Sequence, residues 1–115
     1  MSRMSYEDIG AVVATCRATS AVQGGDVVKI TGHMTAGKCA DGEPFCGVAS
    51  QPREGICSVQ FKGFMTVNYT GTLFYGWKPL VSNGQGGVRV AGSAEDSIHV
   101  QVVGIHTDGT AVICM

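Results

Sequence analysis

Apolar and polar positions alternate most clearly between residues 56 and 69. Cys57, Val59 and Phe61 alternate with Ser58, Gln60 and Lys62, and Met65, Val67 and Tyr69 alternate with Thr66 and Asn68. A period of two places successive side chains on opposite faces of an extended strand. Gly63 interrupts the run, which predicts two strands, or one strand bent at a glycine as at a barrel corner. Val27 to Thr31 alternates in the same way, Val28 and Ile30 against Lys29 and Thr31. Ile98 to Ile105 puts Ile98, Val100 and Val102 on one side, and Thr110 to Met115 follows an Asp108-Gly109 hairpin turn as the closing strand.

Shorter β-prone runs cover Ala11 to Arg17, His33 to Cys39 with an interruption at Gly37, Phe45 to Ala49, and Val88 to Val90. Turn chemistry separates them: Gly24-Gly25, Asp41-Gly42 as a hairpin signal, and the glycine-dense stretch 82–87. Residues 71–77 read as an irregular aromatic connection and 91–96 as a loop. No segment carries apolar residues at i, i+3, i+4 and i+7 for more than one turn. The nearest, Tyr6 to Thr15, is weakened by Gly10 and by paired valines. The expected fold is therefore all-β, a small single-domain antiparallel β-barrel or sandwich over residues 14–115. Residues 1–13 have no clear period and are expected to form a flexible N-terminal arm.

Composition sharpens this picture in two respects. Glycine contributes 17 of 115 residues and charged residues only 15%, against about 7% and about a quarter in ordinary soluble domains. Many short strands and turns account for the glycine. The missing charge is what a surface partly covered by a partner would show. Lys and Arg number 8 against 9 Asp and Glu, and the basic residues are spread along the chain rather than gathered in a stripe. Direct nucleic-acid binding is not expected from that distribution. No apolar run approaches the roughly 18–20 residues of a membrane span, and residues 1–10 lack the apolar region of a signal peptide.

Candidate chemistry is thin. Cysteines stand at 16, 39, 46, 57 and 114 with no C-x-x-C, and reduced, structural thiols are the expectation. His33, Cys39, Cys46 and Cys57 do not have the paired spacing of a zinc site, so no metal is expected. His99 and His106 are separated by an odd number, which points them to opposite faces of one unbroken strand. No G-x-S-x-G occurs, and the carboxylate pairs Glu7-Asp8 and Glu95-Asp96 read as loop charges. No catalytic residue and no cofactor are expected. Phe74, Tyr75 and Trp77 form the remaining candidate, as a barrel plug or an oligomer interface. The alternative is a β-barrel binding module for a carbohydrate or nucleic-acid ligand, with those rings lining a groove beside Lys62 or Lys78.

Taken in order, four pieces of punctuation resemble a known family: Gly25-Asp26-Val27-Val28, Gly47-Val48 after the acidic turn at 41–43, Val59 through Gly63 into Tyr69, and Gly84-Gln85-Gly86-Gly87-Val88. Together they resemble the small phage and prophage head-decoration proteins, also called capsid-cement or capsid-stabilising proteins, over roughly residues 14–115. Cys16 and Cys46 depart from that pattern. The resemblance implies a non-enzymatic structural protein, made in the bacterial host cytoplasm and carried on the virion as part of the capsid surface. It implies the major capsid protein as partner and a homo-oligomer, a trimer above all, that stabilises the head. It also gives the arm a role. Arg3, Met4, Tyr6 and Ile9 would contact the capsid, with the segment adding a strand to an exposed sheet edge.

Overall fold

A computed structural model describes residues 10–93 and 95–115. Among these residues the chain forms ten strands and no helix. The first five, β1 (Val12–Ala18), β2 (Val27–Gly32), β3 (Thr35–Lys38), β4 (Gly47–Ala49) and β5 (Ile56–Lys62), close into a barrel in the order β1-β3-β2-β4-β5. The other five are β6 (Phe64–Asn68), β7 (Gly76–Ser82), β8 (Val88–Val90), β9 (Ile98–Ile105) and β10 (Thr110–Cys114). They build a second sheet in the order β6-β10-β9-β7-β8. The fold is thus all-β, as the alternation predicts. One ladder departs from the antiparallel rule: β1 runs parallel to β3 through Arg17–Thr35 and Ala18–Ala36.

Gly63 is the passage between the two sheets. Its φ of +104° is open to glycine and costly for other residues, and a Cβ there would lie 3.1 Å from Ala11 Cα. The alternating run from 56 to 69 therefore contributes one strand to the barrel and one to the second sheet. Just past β6, Tyr69 forms a parallel bridge with Val88, and the Thr70 N–H donates to the Val88 carbonyl at 3.0 Å. These bonds draw the two outer strands of the second sheet together at one end.

The Asp41-Gly42 hairpin expectation is corrected. The turn forms, but β4 pairs with the other side of β2 instead of returning along β3. The turn docks instead on β7: the Gly42 N–H donates to the Ser82 carbonyl at 2.8 Å, and the Ser82 N–H to the Glu43 carbonyl at 2.9 Å. Gly37 is corrected as well. It lies within β3, buried, where a Cβ would press on Thr31 Cγ2. Its glycine serves close packing and does not break the strand. At the N-terminal end, β1 begins at Val12, so the last two residues of the span read as an arm belong to the barrel. Arg3, Met4, Tyr6 and Ile9 lie outside the described residues.

Two apolar cores result. Cys16, Val22, Val28, Ala36, Ala49, Cys57 and Val59 fill the barrel. Val27, Cys39 and Phe45 pack with Leu80, Val88, Val100, Val102 and Ile113 between the barrel and the second sheet. Val27 and Val28 are both fully buried because neighbouring strand residues point to opposite faces and β2 has a core on each. Burying a valine completely is worth about 1.5–3 kcal/mol, so β2 contributes to both cores at once.

Candidate assembly surface

Phe74, Tyr75 and Trp77 are the most exposed large apolar side chains of the described residues, at 63%, 62% and 65%. Their placement follows from two local features. Leu73 is buried in the core beneath the second sheet and anchors the 71–76 segment, leaving its aromatic neighbours outside. Gly76, at φ +96°, then turns the chain into β7. Trp77 is a strand residue, not part of an irregular connection, because it pairs with Gln101 of β9. Register partners share a face, so Trp77 lies beside Gln101, and Pro79 beside His99. A β-bulge at β9 leaves Val103 unpaired between Val102 and Gly104, and it stays 46% exposed next to this face. Trp77, Pro79 and Val103 thus lie on one face of the second sheet, and Phe74 and Tyr75 precede it in the chain. The barrel-plug option does not describe rings this exposed.

Lys78 does not stand beside the Trp77 ring. It pairs with Val100, whose side chain is buried, so it starts from the opposite face of β7. Lys62 belongs to the barrel, opposite Val12 on β1. The basic partner that a ligand groove requires is absent from the aromatic face at both positions.

A second exposed apolar group surrounds the end of β1. Arg17 pairs with Ile56 on one side, and on the other its N–H donates to the Met34 carbonyl at 2.7 Å. Met34 and Ile56 both sit at hairpin tips and are about half exposed, as is Ile30 of β2. Met34 has a left-handed φ of +46°, a conformation that costs a non-glycine residue free energy. Sequence patterning did not single out Met34 or Val103, and it put Ile30 on the same apolar phase as Val28, which is buried while Ile30 is 47% exposed. The available signals were a methionine within the Gly32–Thr35 turn and a valine on the polar phase of β9.

Among the described residues, five charged side chains pair with one another in two clusters. Arg89 donates from Nε to Asp41 Oδ1 at 2.9 Å, and from Nη1 and Nη2 to the two Glu95 oxygens at 2.9 and 2.7 Å. That bidentate bond, with the Gly92 N–H, holds the Glu95 carboxyl down at about 2. Lys29 Nζ lies 2.8 Å from both oxygens of Glu43, whose Oε1 also accepts the Ala40 N–H at 2.6 Å. These clusters tie turns to strands.

Burial is the main force on the shifted thiols. It pushes Cys39 up to about 11, with the Glu43 carboxylate adding to the effect, and raises Cys46 and Cys57. A nucleophilic thiol needs the opposite shift. His33, His99 and His106 are exposed, and His106 lies just beyond β9. Among the described residues no group of three or more His, Cys, Asp and Glu side chains is placed to hold a metal ion. A shallow depression of about 420 Å³ lies on the barrel wall between Thr15, Ser50, Gln51, Arg53, Ile56 and Ser58, with Cys57 also lining it.

No protein-family model matches the chain, and no curated protein sequence shows significant similarity to it.

Proposed function

We propose that this chain is a structural head-decoration protein of a phage or prophage, which binds the outer capsid surface and stabilises the head. The carrying observation is the exposure, at 62–65%, of Trp77 on the face of the second sheet and of Phe74 and Tyr75 in the segment that leads into it. Exposed aromatic surface of this kind marks protein association. Two further features support the reading: the ordered glycine punctuation of residues 25–88 and the low charge of the chain. In this role the chain has no catalytic step. It acts through geometry, many copies on one shell turning weak single contacts into firm attachment.

In the proposed assembly, subunits associate as a homo-oligomer, a trimer by the family resemblance, through these aromatic residues. Residues 1–9, with Arg3, Met4, Tyr6 and Ile9, engage the major capsid protein. The test is binding to purified empty shells of the phage whose genome carries the sequence, by co-sedimentation, with light scattering to count subunits. Saturable attachment that is lost on deleting residues 1–9 supports the proposal. Absence of attachment to those shells overturns it.

A further inference from the structure

Two of the five thiols stand directly opposite each other. Cys16 of β1 and Cys57 of β5 are register partners in an antiparallel ladder, and both are buried in the barrel core with Val28, Ala36, Ala49 and Val59. Two residues along, the Ala18 N–H donates to the Gly55 carbonyl at 2.8 Å. Hydrogen-bonded pairs recur every second residue, so Cys16 and Cys57 form such a pair, with an expected Cα spacing of about 5.5 Å. A disulfide accepts Cα spacings of about 4.4–6.8 Å. The two side chains also share a face, the barrel interior.

We propose that Cys16 and Cys57 are an oxidisable pair that closes a cross-strand disulfide inside the barrel when the protein meets a low-molecular-weight disulfide. The Cys57 thiolate attacks one sulfur of the reagent, whose S–S bond breaks to release one thiol. The Cys16 thiolate then attacks Cys57 Sγ of the mixed disulfide and releases the second. The two cysteines lose two protons and two electrons, and the reagent is reduced to two thiols. The barrel wall at Cys57 borders the depression between Thr15, Ser50, Arg53 and Ser58, while the thiol itself faces the barrel interior.

The remaining cysteines are placed differently. Cys114 lies on β10 of the second sheet, opposite Phe64 and Gln101. Cys39 belongs to the core between the sheets, and its Sγ donates to the Pro44 carbonyl at 3.8 Å. Cys46 precedes β4 and is close enough to Cys16 for their charges to interact, which makes it the competitor to exclude. Burial raises the Cys57 thiol, so exchange is slow at neutral pH and accelerates in mild alkali.

The test treats the folded protein with 2-hydroxyethyl disulfide at about pH 8.5, followed by mass spectrometry, thiol titration and tryptic mapping. The expected product has lost two hydrogens, titrates three of the original five thiols, and links peptide 4–17 to peptide 54–62. Closing a loop of roughly 40 residues raises Tm by roughly 10 °C, reversed by dithiothreitol. The Cys46→Ala variant keeps the link, whereas Cys57→Ala loses it. A link from Cys16 to peptide 39–53, or five persistent thiols while the urea-unfolded chain oxidises, overturns the proposal.

Discussion

Gly47 faces the main chain of Gln60 across the β4–β5 ladder so closely that a Cβ would lie 2.5 Å from the Gln60 carbonyl oxygen and 2.9 Å from Val59 Cγ1. Backbone in a closed barrel cannot step aside as a flexible side chain can. Gly47→Ala is therefore expected to cost about 2–3 kcal/mol by overpacking. Gly109 is the control: its φ is +89° and a Cβ there would meet nothing within 4 Å, so Gly109→Ala costs only the conformational penalty of about 1–2 kcal/mol. Urea unfolding of the two variants distinguishes space from conformation. Equal losses would contradict the close approach.

The Arg89 cluster gives the fold an acid-sensitive clasp between the 41–43 turn, β8 and the 91–97 loop. The Glu95 carboxyl is held at about 2, chiefly by its bonds to Arg89. A group with a depressed folded pKa stabilises the protein above its unfolded value, and loses that contribution as pH falls through the folded one. Stability should thus decline between roughly pH 4.5 and 2, and Glu95→Gln should flatten that decline. Thermal unfolding across this range measures it, and an unchanged slope in the variant would refute the assignment.

Cys39 acts at the other end of the scale. Its folded value of about 11 means that the folded state holds the proton more tightly than the unfolded chain. The sign is therefore reversed. Its contribution is complete below about pH 8.5 and disappears as pH rises toward the folded value. Cys39→Ala should be less stable than the parent at neutral pH yet show a shallower loss between about pH 9 and 11. A parallel decline in parent and variant would count against the burial effect.

The exposed aromatic residues predict a separation of association from stability. Trp77→Ser should leave monomer stability within about 0.5 kcal/mol, because the ring is solvent-facing. Self-association should weaken markedly in the same variant. In the dilute parent, Trp77 fluorescence should be readily quenched by acrylamide and become protected as subunits associate. A quench-resistant Trp77 at every concentration would place the ring elsewhere.

Local alternation was sufficient to mark most of the strands, because a half-buried strand writes its period into every second residue. It could not mark which sheet a strand joins. Residues 56–69 read as two strands, or one bent at Gly63, but nothing in that pattern says that the two halves belong to different sheets. Asp41-Gly42 promises a hairpin, but pairing across β2 is a property of distant residues and outweighs the dipeptide. Gly37 looks like a break because a glycine needed for room and a glycine needed for φ have the same letter. The aromatic residues were legible as candidates. Their exposure was not, since it depends on Leu73 taking the buried position and on Trp77 pairing with Gln101. The Cys16–Cys57 register is equally invisible before β1 and β5 are seen side by side.

Among the described residues every strand ladder joins two strands from the same side of Gly63: β1 to β5 pair among themselves, as do β6 to β10. A nick in the chain after Lys62 would therefore interrupt no ladder within the barrel or within the second sheet. What it would separate are two apolar faces, with Val27 and Phe45 on one fragment and Leu80 and Ile113 on the other. Those faces, with the Gly42–Ser82 and Arg89–Asp41 bonds, are what would hold the two fragments together. The protein is in this sense a heterodimer written as one chain, with Gly63 as the link between its halves.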